Sequence, residues 1–319
     1  MLAYLRHAVE LGSQGAQKQL VDAFTEDSPF IAELPMQAAS HGIHHKYRKI
    51  VGINGDVSAT GKINYENDFD SLPPNADAQI SVHSVDLFRL ATIVRVPHDL
   101  ADLHGRERIF EEQATALIRQ MGNALERTFF DRLIDESLKQ GKCYADVITP
   151  QVDTEYPAIT VVSPAEGECS GLYCSEFSGR QGLFDIIPLS GGQPFIDSST
   201  LTSQRLVYAS EIRAAVGLLL ANPRRFSALV NIDAANITPL NFARKIAAVV
   251  DSARPNPQTL IVMPRQLQTA LMTAFGQFGQ SNALMSVDAN QGLRICGCRV
   301  IASPNLDMNY GAFAGLQAP

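Results

Sequence analysis

All seven histidines of this 319-residue chain lie at or before His104. Everything beyond that point lacks an imidazole for general acid–base work, so catalysis by a histidine paired with Ser or Cys has no basis there. The hydrolase, metalloprotease and dinucleotide patterns G-x-S-x-G, H-E-x-x-H and G-x-G-x-x-G are also missing. No apolar run approaches the roughly 18 residues of a membrane span. An excess of basic residues is absent too: 26 Lys and Arg against 33 Asp and Glu give a net charge of −7, which argues against a dedicated nucleic-acid binder. The five cysteines are an odd number without a C-x-x-C pair, which points to reduced thiols rather than a disulfide framework or a zinc site. "HGIHH" (His41, His44, His45) adjoins the cationic "KYRK" and reads as polar strand residues rather than a metal site. The start, "MLAYLRHAVELGSQGAQ", has neither a signal-peptide core nor a cleavage site.

What is present suits a large folded chain: 45% hydrophobic and 18% charged residues can bury a core in two or more lobes. Two stretches suggest an ATPase. "LSGGQ" (189–193) matches the signature loop of ATP-binding-cassette proteins, and "GDVSATGK" (55–62) resembles a phosphate-binding loop. Phosphate binding needs G-x-x-x-x-G-K-[ST], whereas Gly55 and Gly61 are one residue too far apart and Ile63 stands where a magnesium-binding hydroxyl belongs. The text after Lys62 carries two prolines and no helical period, so no helix N-terminus is offered to an anion. Asp251 is followed by Ser252 rather than the required Glu. "LSGGQ" is therefore read as a Gly-rich turn, and no cofactor is expected.

The order of elements is more informative. Residues 2–24 read as one or two short helices broken at "GSQG", and "DSPFIAELP" as a capped helical turn ending at Pro35. "GIHHKYRKIVGING" and "AQISVHSVDLFRLATIVRVP" read as long strands joined by a polar excursion, a projecting hairpin. The spacing predicts a helix from about Arg106 to Lys139. Its stripe comprises Phe110, Ala114, Leu117, Met121, Leu125, Thr128 and Arg132, widened by Ile118, Phe129 and Leu133. At about 1.5 Å per residue it is a rod of roughly 50 Å. Glu111 and Glu112 fit its first turns, and Arg127–Asp131 and Arg132–Glu136 are spaced as ion pairs on its wet side. Gly122 costs this helix about 1 kcal/mol relative to Ala, which suggests close packing there. Short strands follow ("YADVITPQV", "PAITVVSP", "GLFDIIPL"), then an expected helix at 209–221, "ASEIRAAVGLLLA". The remainder alternates: strand "SALVNI", a helix capped at Thr238 with Pro239 at its first position, strand "TLIVM", helix "PRQLQTALMTAF", and a closing strand "GLRICGCRVIASPNL".

This order resembles the major capsid proteins of tailed bacteriophages, whose fold is shared with encapsulin shells. "LVDAFTEDSPFIAELPM" is similar to the family's N-terminal arm, and "YRKIVGINGDVSATGKINYENDF…AQISVHSVDLFRLATIVRVPHDL" to its extended loop. "RERIFEEQATALIRQMGNALERTFFDRLI" is similar to the spine helix. "FSALVNI", "TLIVMPRQLQTAL" and "GLRICGCRVIASPNLDMNYGAFAGL" resemble the entry, strand–helix and closing segments of the axial domain. The resemblance implies an α+β fold: N-terminal arm 1–42, extended loop 43–86, peripheral domain with the spine helix 87–140, axial domain 226–269, peripheral return 270–298 and axial end 299–319. Residues 141–225 match no motif and are expected to be a β-rich insertion or an enlarged axial domain. An insertion would have its own small core of Ile148, Val152, Ile159, Val161, Leu172, Phe184, Ile186 and Ile187.

The resemblance further implies a non-enzymatic subunit that assembles into pentamers and hexamers of an icosahedral shell around double-stranded DNA. Portal and scaffolding proteins would be partners, and contact with the packaged DNA would be weak and non-specific. Such a subunit belongs to a virion assembled in a bacterial cytoplasm. Charged side chains expected at subunit contacts are Arg48, Lys62, Glu66, Asp68, Asp70, Arg119 and Arg127. Some relatives form isopeptide links between a loop lysine and a neighbour's asparagine. Lys62 is suitably placed, with Asn282 or Asn305 as partner, but no catalytic carboxylate is evident, and Lys62 reads as a solvated or salt-bridging residue. The alternatives are an encapsulin compartment and an α/β enzyme; in the second case Asp68, Asp70, Glu111 and Glu112 form no recognisable site.

Overall fold

A computed structural model of the chain describes residues 15–54, 77–151, 154, 156–174, 183–197, 205–234, 237, 239–278, 285–288, 292–306, 310 and 312–319. The first described elements are helix α1 (Gly15–Glu26) and the short α2 (Pro29–Glu33), which begins on Pro29 and stops before Pro35. Ser28 precedes α2, but its hydroxyl does not cap that helix; it donates instead to Asn123 Oδ1 at 3.2 Å. Strand β1 (Met36–Ala38) follows, then the hairpin β2 (His44–Asn54) and β3 (Asp77–Asp86), and β4 (Phe88–Pro97). A short helix α3 (His98–His104) leads into α4 (Arg106–Lys139).

The predicted spine helix is present with its predicted ends, and both ends have local causes. Gly105 at its start has φ of 85° and Gly141 after its end has φ of 63°. Beyond Lys139 the Gly141 N–H donates to Leu138 O (3.2 Å) and the Lys142 N–H to Ser137 O (2.8 Å), a Schellman closure. Its buried face is wider than the predicted stripe and includes Glu126, Phe130 and Ile134. Neither expected ion pair closes on its outer face. Asp131 accepts from the Tyr310 hydroxyl (3.3 Å), Glu136 pairs with Lys139 (2.8 Å), and Arg132 lies over the Phe88 ring. The packing reason for Gly122 is visible: a Cβ there would stand 2.3 Å from the Phe24 carbonyl oxygen, so α1 can cross α4 only at a glycine.

After α4 come β5 (Cys143–Ala145), β6 (Ile159–Val162), β7 (Cys169–Tyr173), β8 (Phe184–Pro188), β9 (Phe195–Asp197), β10 (Arg205–Leu220) and β11 (Phe226–Val230). The "LSGGQ" segment is one 3-10 turn over Leu189–Gly192, with Ser190, Gly191 and Gly192 all at positive φ. The largest departure from expectation is β10: the segment expected as a helix over 209–221 is strand from 209 to 220, most of a 16-residue strand. Helix α5 (Pro239–Ser252), β12 (Leu260–Pro264) and α6 (Arg265–Phe278) occupy their expected places; the Thr238 cap lies outside the described residues. The closing segment is not one strand. β14 (Gly292–Ile295) and β15 (Cys298–Ser303) form a hairpin through Cys296 and Gly297, at φ of 53° and 76°, with β13 (Met285–Asp288) paired outside β14.

The strands form two sheets besides the hairpin. In the first, β10 is the central strand, with β4 antiparallel along one side and β9, β8 and β7 in turn along the other; β1 adds beyond β7. Its even-numbered residues Ile212, Ala214, Val216 and Leu218 join Val94, Val96 and the apolar face of α4 in the main core. Ala215 and Leu219, on the other face, pack with Leu172 and with Val85, Leu87 and Ile43 at the hairpin root.

The second sheet has the order β13-β14-β15-β12-β6-β11-β5. Both faces are covered. Val162, Phe226 and Val262 face the α4 core, whereas Val161, Leu229, Ile261 and Met263 pack with Phe242, Ile246 and Val249 of α5 and Leu267 and Leu271 of α6. Residues 141–225 therefore feed both sheets, and the residues expected to share one small core are divided among several clusters; Val152 lies outside the described residues. Ile159 and Val161 belong to the second sheet, Phe184 and Leu172 to opposite faces of the first, and Ile148 is exposed. Residues 270–298 supply most of α6 and strands β13 and β14, which extend the sheet of β12.

Candidate subunit-contact surfaces

The hairpin β2–β3 forms a two-stranded sheet of its own, paired from His44↔Asp86 out to Asn54↔Asp77, with a register shift between Ile50 and Gly52. Strand pairing holds it together, since among the described residues neither strand joins another sheet. At about 3.3 Å per residue, the ten residues of β3 carry it roughly 30 Å. Its root is fixed: the Leu87 N–H donates to Ile43 O (2.9 Å), and Leu87 packs over Gly217 of β10. Along the shaft Val82 is 66% exposed, and Tyr47 stacks on His83 at 5.6 Å between ring centroids. His44 Nδ1 lies 2.6 Å from Asp86 Oδ1 across the first registered pair. Burial, then the neighbouring His41, hold the His45 imidazole below its usual range.

The expected contact residues fall in three places. Arg48 stands in β2 opposite Val82. Lys62, Glu66, Asp68 and Asp70 lie outside the described residues. Arg119 and Arg127 lie on α4, but Arg119 is engaged within its own chain: it pairs with Glu26 and, at 3.5 Å, with Asp27, tying the α1–α2 corner to the helix. Arg127 is exposed. Asn305, one of the two asparagines considered for a crosslink, is 4% exposed and donates to Asp27 O (2.8 Å), so its amide is committed inside the subunit.

A second accessible surface is the outward face of the first sheet. Arg89, Ala91, Ile93 and Arg95 alternate outward along β4, and Glu211 and Arg213 of β10 pair with each other beside them at 2.6 Å. Arg95 pairs with Asp197 of β9 at 3.4 Å. Ile93 is 44% exposed amid these charges. Among the described residues the outer edge of β4 is not hydrogen-bonded to another strand. A groove of about 720 Å³ lies between α1, α2, the start of α4 and β15; Asp22, Glu26, Glu33 and Glu111 line it, and Arg299 reaches across it to Glu33 at 2.7 Å.

The cysteines form no disulfide among themselves. All five are free, and burial pushes Cys143 and Cys169 up to about 12, far from the thiolate form. The group that sequence reading missed is Glu126. A carboxylate in "ALERTFF" looks like a surface residue, yet it is 0% exposed, because the corner around Phe30 and the end of β15 at Ser303 close over it, beside the apolar Leu125, Phe129 and Phe130. Only the width of that apolar cluster could have signalled it.

No protein-family model matches the chain, and no curated protein matches its sequence. Solved structures do match. A chain from the near-atomic cryo-EM structure of bacteriophage Epsilon15 is 14% identical, with 88% of this chain and 87% of that chain covered and a TM-score of 0.55. The bacteriophage JBD30 capsid is 11% identical over 85% of this chain and 88% of that chain, with a TM-score of 0.46. The SrpI encapsulin complex of Synechococcus elongatus PCC 7942 is 11% identical over 66% and 89%, with a TM-score of 0.42. At such identities the likeness is one of fold: this chain has the α+β fold of tailed-phage major capsid proteins.

Proposed function

We propose that the chain is a structural subunit that self-assembles into the icosahedral head shell enclosing a phage double-stranded DNA genome. The observation that carries this reading is the hairpin β2–β3, which leaves the body as a separate two-stranded sheet on a chain of capsid fold. A projecting ribbon with exposed backbone edges and an exposed Val82 is covered when it lies on a neighbour. Residues 43–86 then act as an intersubunit arm, with Arg48 on its shaft; Lys62, Glu66, Asp68 and Asp70, in the sequence between its two strands, are further contact residues of this proposal, and Arg127 faces outward on the spine helix. Contacts of this heterologous kind close into rings and, repeated, into a shell. The net charge of −7 suits a wall that does not grip the packaged DNA. Portal and scaffolding proteins are the partners this role requires, and it requires no catalysis.

The test is electron microscopy and light scattering of the purified protein, alone and with a co-expressed scaffold. Closed shells, or rings of five or six, are expected. A folded monomer at micromolar concentration under both conditions would refute the reading. Replacing residues 56–76 by a short Gly-Ser link should leave the subunit folded and stop closure.

A further inference from the structure

Glu126 is a buried carboxyl held among neutral groups, at the point where three distant parts of the chain meet. Ser303 Oγ, at the end of β15, donates to Glu126 Oε1 at 2.7 Å. The Phe30 N–H, in α2, reaches the same oxygen at 3.4 Å. Around them a second ring of hydrogen bonds closes. Asn305 donates from Nδ2 to Asp27 O (2.8 Å) and to Asn123 Oδ1 (3.2 Å), and its N–H donates to Ser303 Oγ (3.0 Å). Ser28 Oγ donates to Asn123 Oδ1. The N-terminal corner Asp27–Phe30 is thus tied to α4 and β15 through one polar cluster centred on Glu126.

The other oxygen, Glu126 Oε2, is buried and has no hydrogen-bond partner among the described residues. Nor, among the described residues, does a cation compensate it. Of the charged groups on the elements packed here, Arg119 of α4 pairs with Glu26 and Asp27 of the corner, Arg299 of β15 pairs with Glu33 of α2, and Arg127 and Asp131 of α4 and Arg265 after β12 are exposed. A bare carboxylate oxygen in such a place is costly, whereas the neutral acid avoids most of that cost.

We propose that Glu126 is a proton-linked latch: the corner Asp27–Phe30 seats on α4 and β15 with Glu126 protonated, and its release gives up that proton. Burial raises the Glu126 carboxyl to about 7, and the bonds from Ser303 and the Phe30 N–H, with the polar side chains of Asn305 and Ser28 nearby, only partly offset it. Once the corner lifts and water enters, the group returns toward the ordinary 4.5. Between these values the seated form binds more protons than the lifted form, so raising the pH favours lifting. The effect begins above about 4.5 and is complete above about 7. It lies within the subunit and does not depend on the chain forming a shell.

The experiment is hydrogen–deuterium exchange of the segment 28–36 in the full chain between about pH 5 and pH 8, corrected for the intrinsic pH dependence of exchange. Protection in the wild type should fall on the order of 10- to 100-fold across this range, as expected for release of one proton on opening. Glu126→Gln, which keeps the shape and cannot titrate, should be flat, whereas the histidines remain to titrate in both proteins. A flat wild type, or an equal pH response in the Gln variant, overturns the proposal. Should the Gln variant fail to fold, infrared spectroscopy of the wild type decides. A protonated-carboxyl band present near pH 6 and lost by about pH 8 supports the latch, and no such band at pH 6 overturns it.

Discussion

The two sheets are of similar size but are covered differently. The seven-stranded sheet lies between α4 on one face and α5 and α6 on the other, so β11 and β12 are buried at every position. The sheet around β10 has one face on α4, and the hairpin root covers only the β7 end of the other; β4 accordingly alternates, with Arg89, Ala91, Ile93 and Arg95 outward. A sheet closed on both faces is complete as a folding unit. One with an open face and an open edge has surface to offer a neighbour.

Substitutions on equivalent strands measure that difference. Val262→Asp places an unpaired charge in the doubly covered sheet and should cost more than about 4 kcal/mol, abolishing soluble folded protein. Recovery of that variant at normal yield and denaturation midpoint would break the distinction. Gly122→Ala should destabilise by about 1–3 kcal/mol in denaturant unfolding, because the methyl collides with the Phe24 backbone; the helix-propensity gain of about 1 kcal/mol does not offset this. Ile93→Asp, on the open face, should change subunit stability by no more than about 0.5 kcal/mol. A loss of shell yield with unchanged stability in that variant would assign the open face to a subunit contact. The smallest effect is expected at the tight turn of the closed sheet. Cys296→Asn should stabilise by a few tenths of a kcal/mol, read as a raised Tm, because Asn tolerates the positive φ of a two-residue hairpin better than Cys.

The same difference in covering governs what could be read from the residues. Helices α5 and α6 and the strand β12 were legible, since each is a short, uniformly buried or one-sided element bounded by Pro or Gly. The spine helix was legible from its apolar spacing, and its ends fall beside Gly105 and Gly141. β10 was not. "ASEIRAAVGLLLA" is rich in Ala and Leu, and from Ala214 to Leu219 both faces are buried, so its apolar residues run together and erase the two-residue period. Pairing with β4 and β7 overrides its helix propensity. The hairpin was legible from alternation, whereas Glu126 was hidden because its burial comes from parts of the chain far away in sequence. The intrachain partners of Arg119 could not be read from sequence, because Glu26 and Asp27 are brought to it only by the crossing of α1 over Gly122.

Strand β6 lies between β11 and β12, antiparallel to both, although it precedes them by a long stretch of chain. The middle of the second sheet is therefore made by the ribosome before either of its neighbours. A fragment cut from Arg205 onward would carry β11, β12, β14 and β15 but would have a strand-wide gap at its centre, leaving two unpaired inner edges. The smallest piece able to close this sheet must include residues 143–162, either in line or supplied as a separate peptide. A split at that junction would turn an internal strand into a complementing one, and recovery of the sheet on adding the peptide would become a direct assay of its assembly.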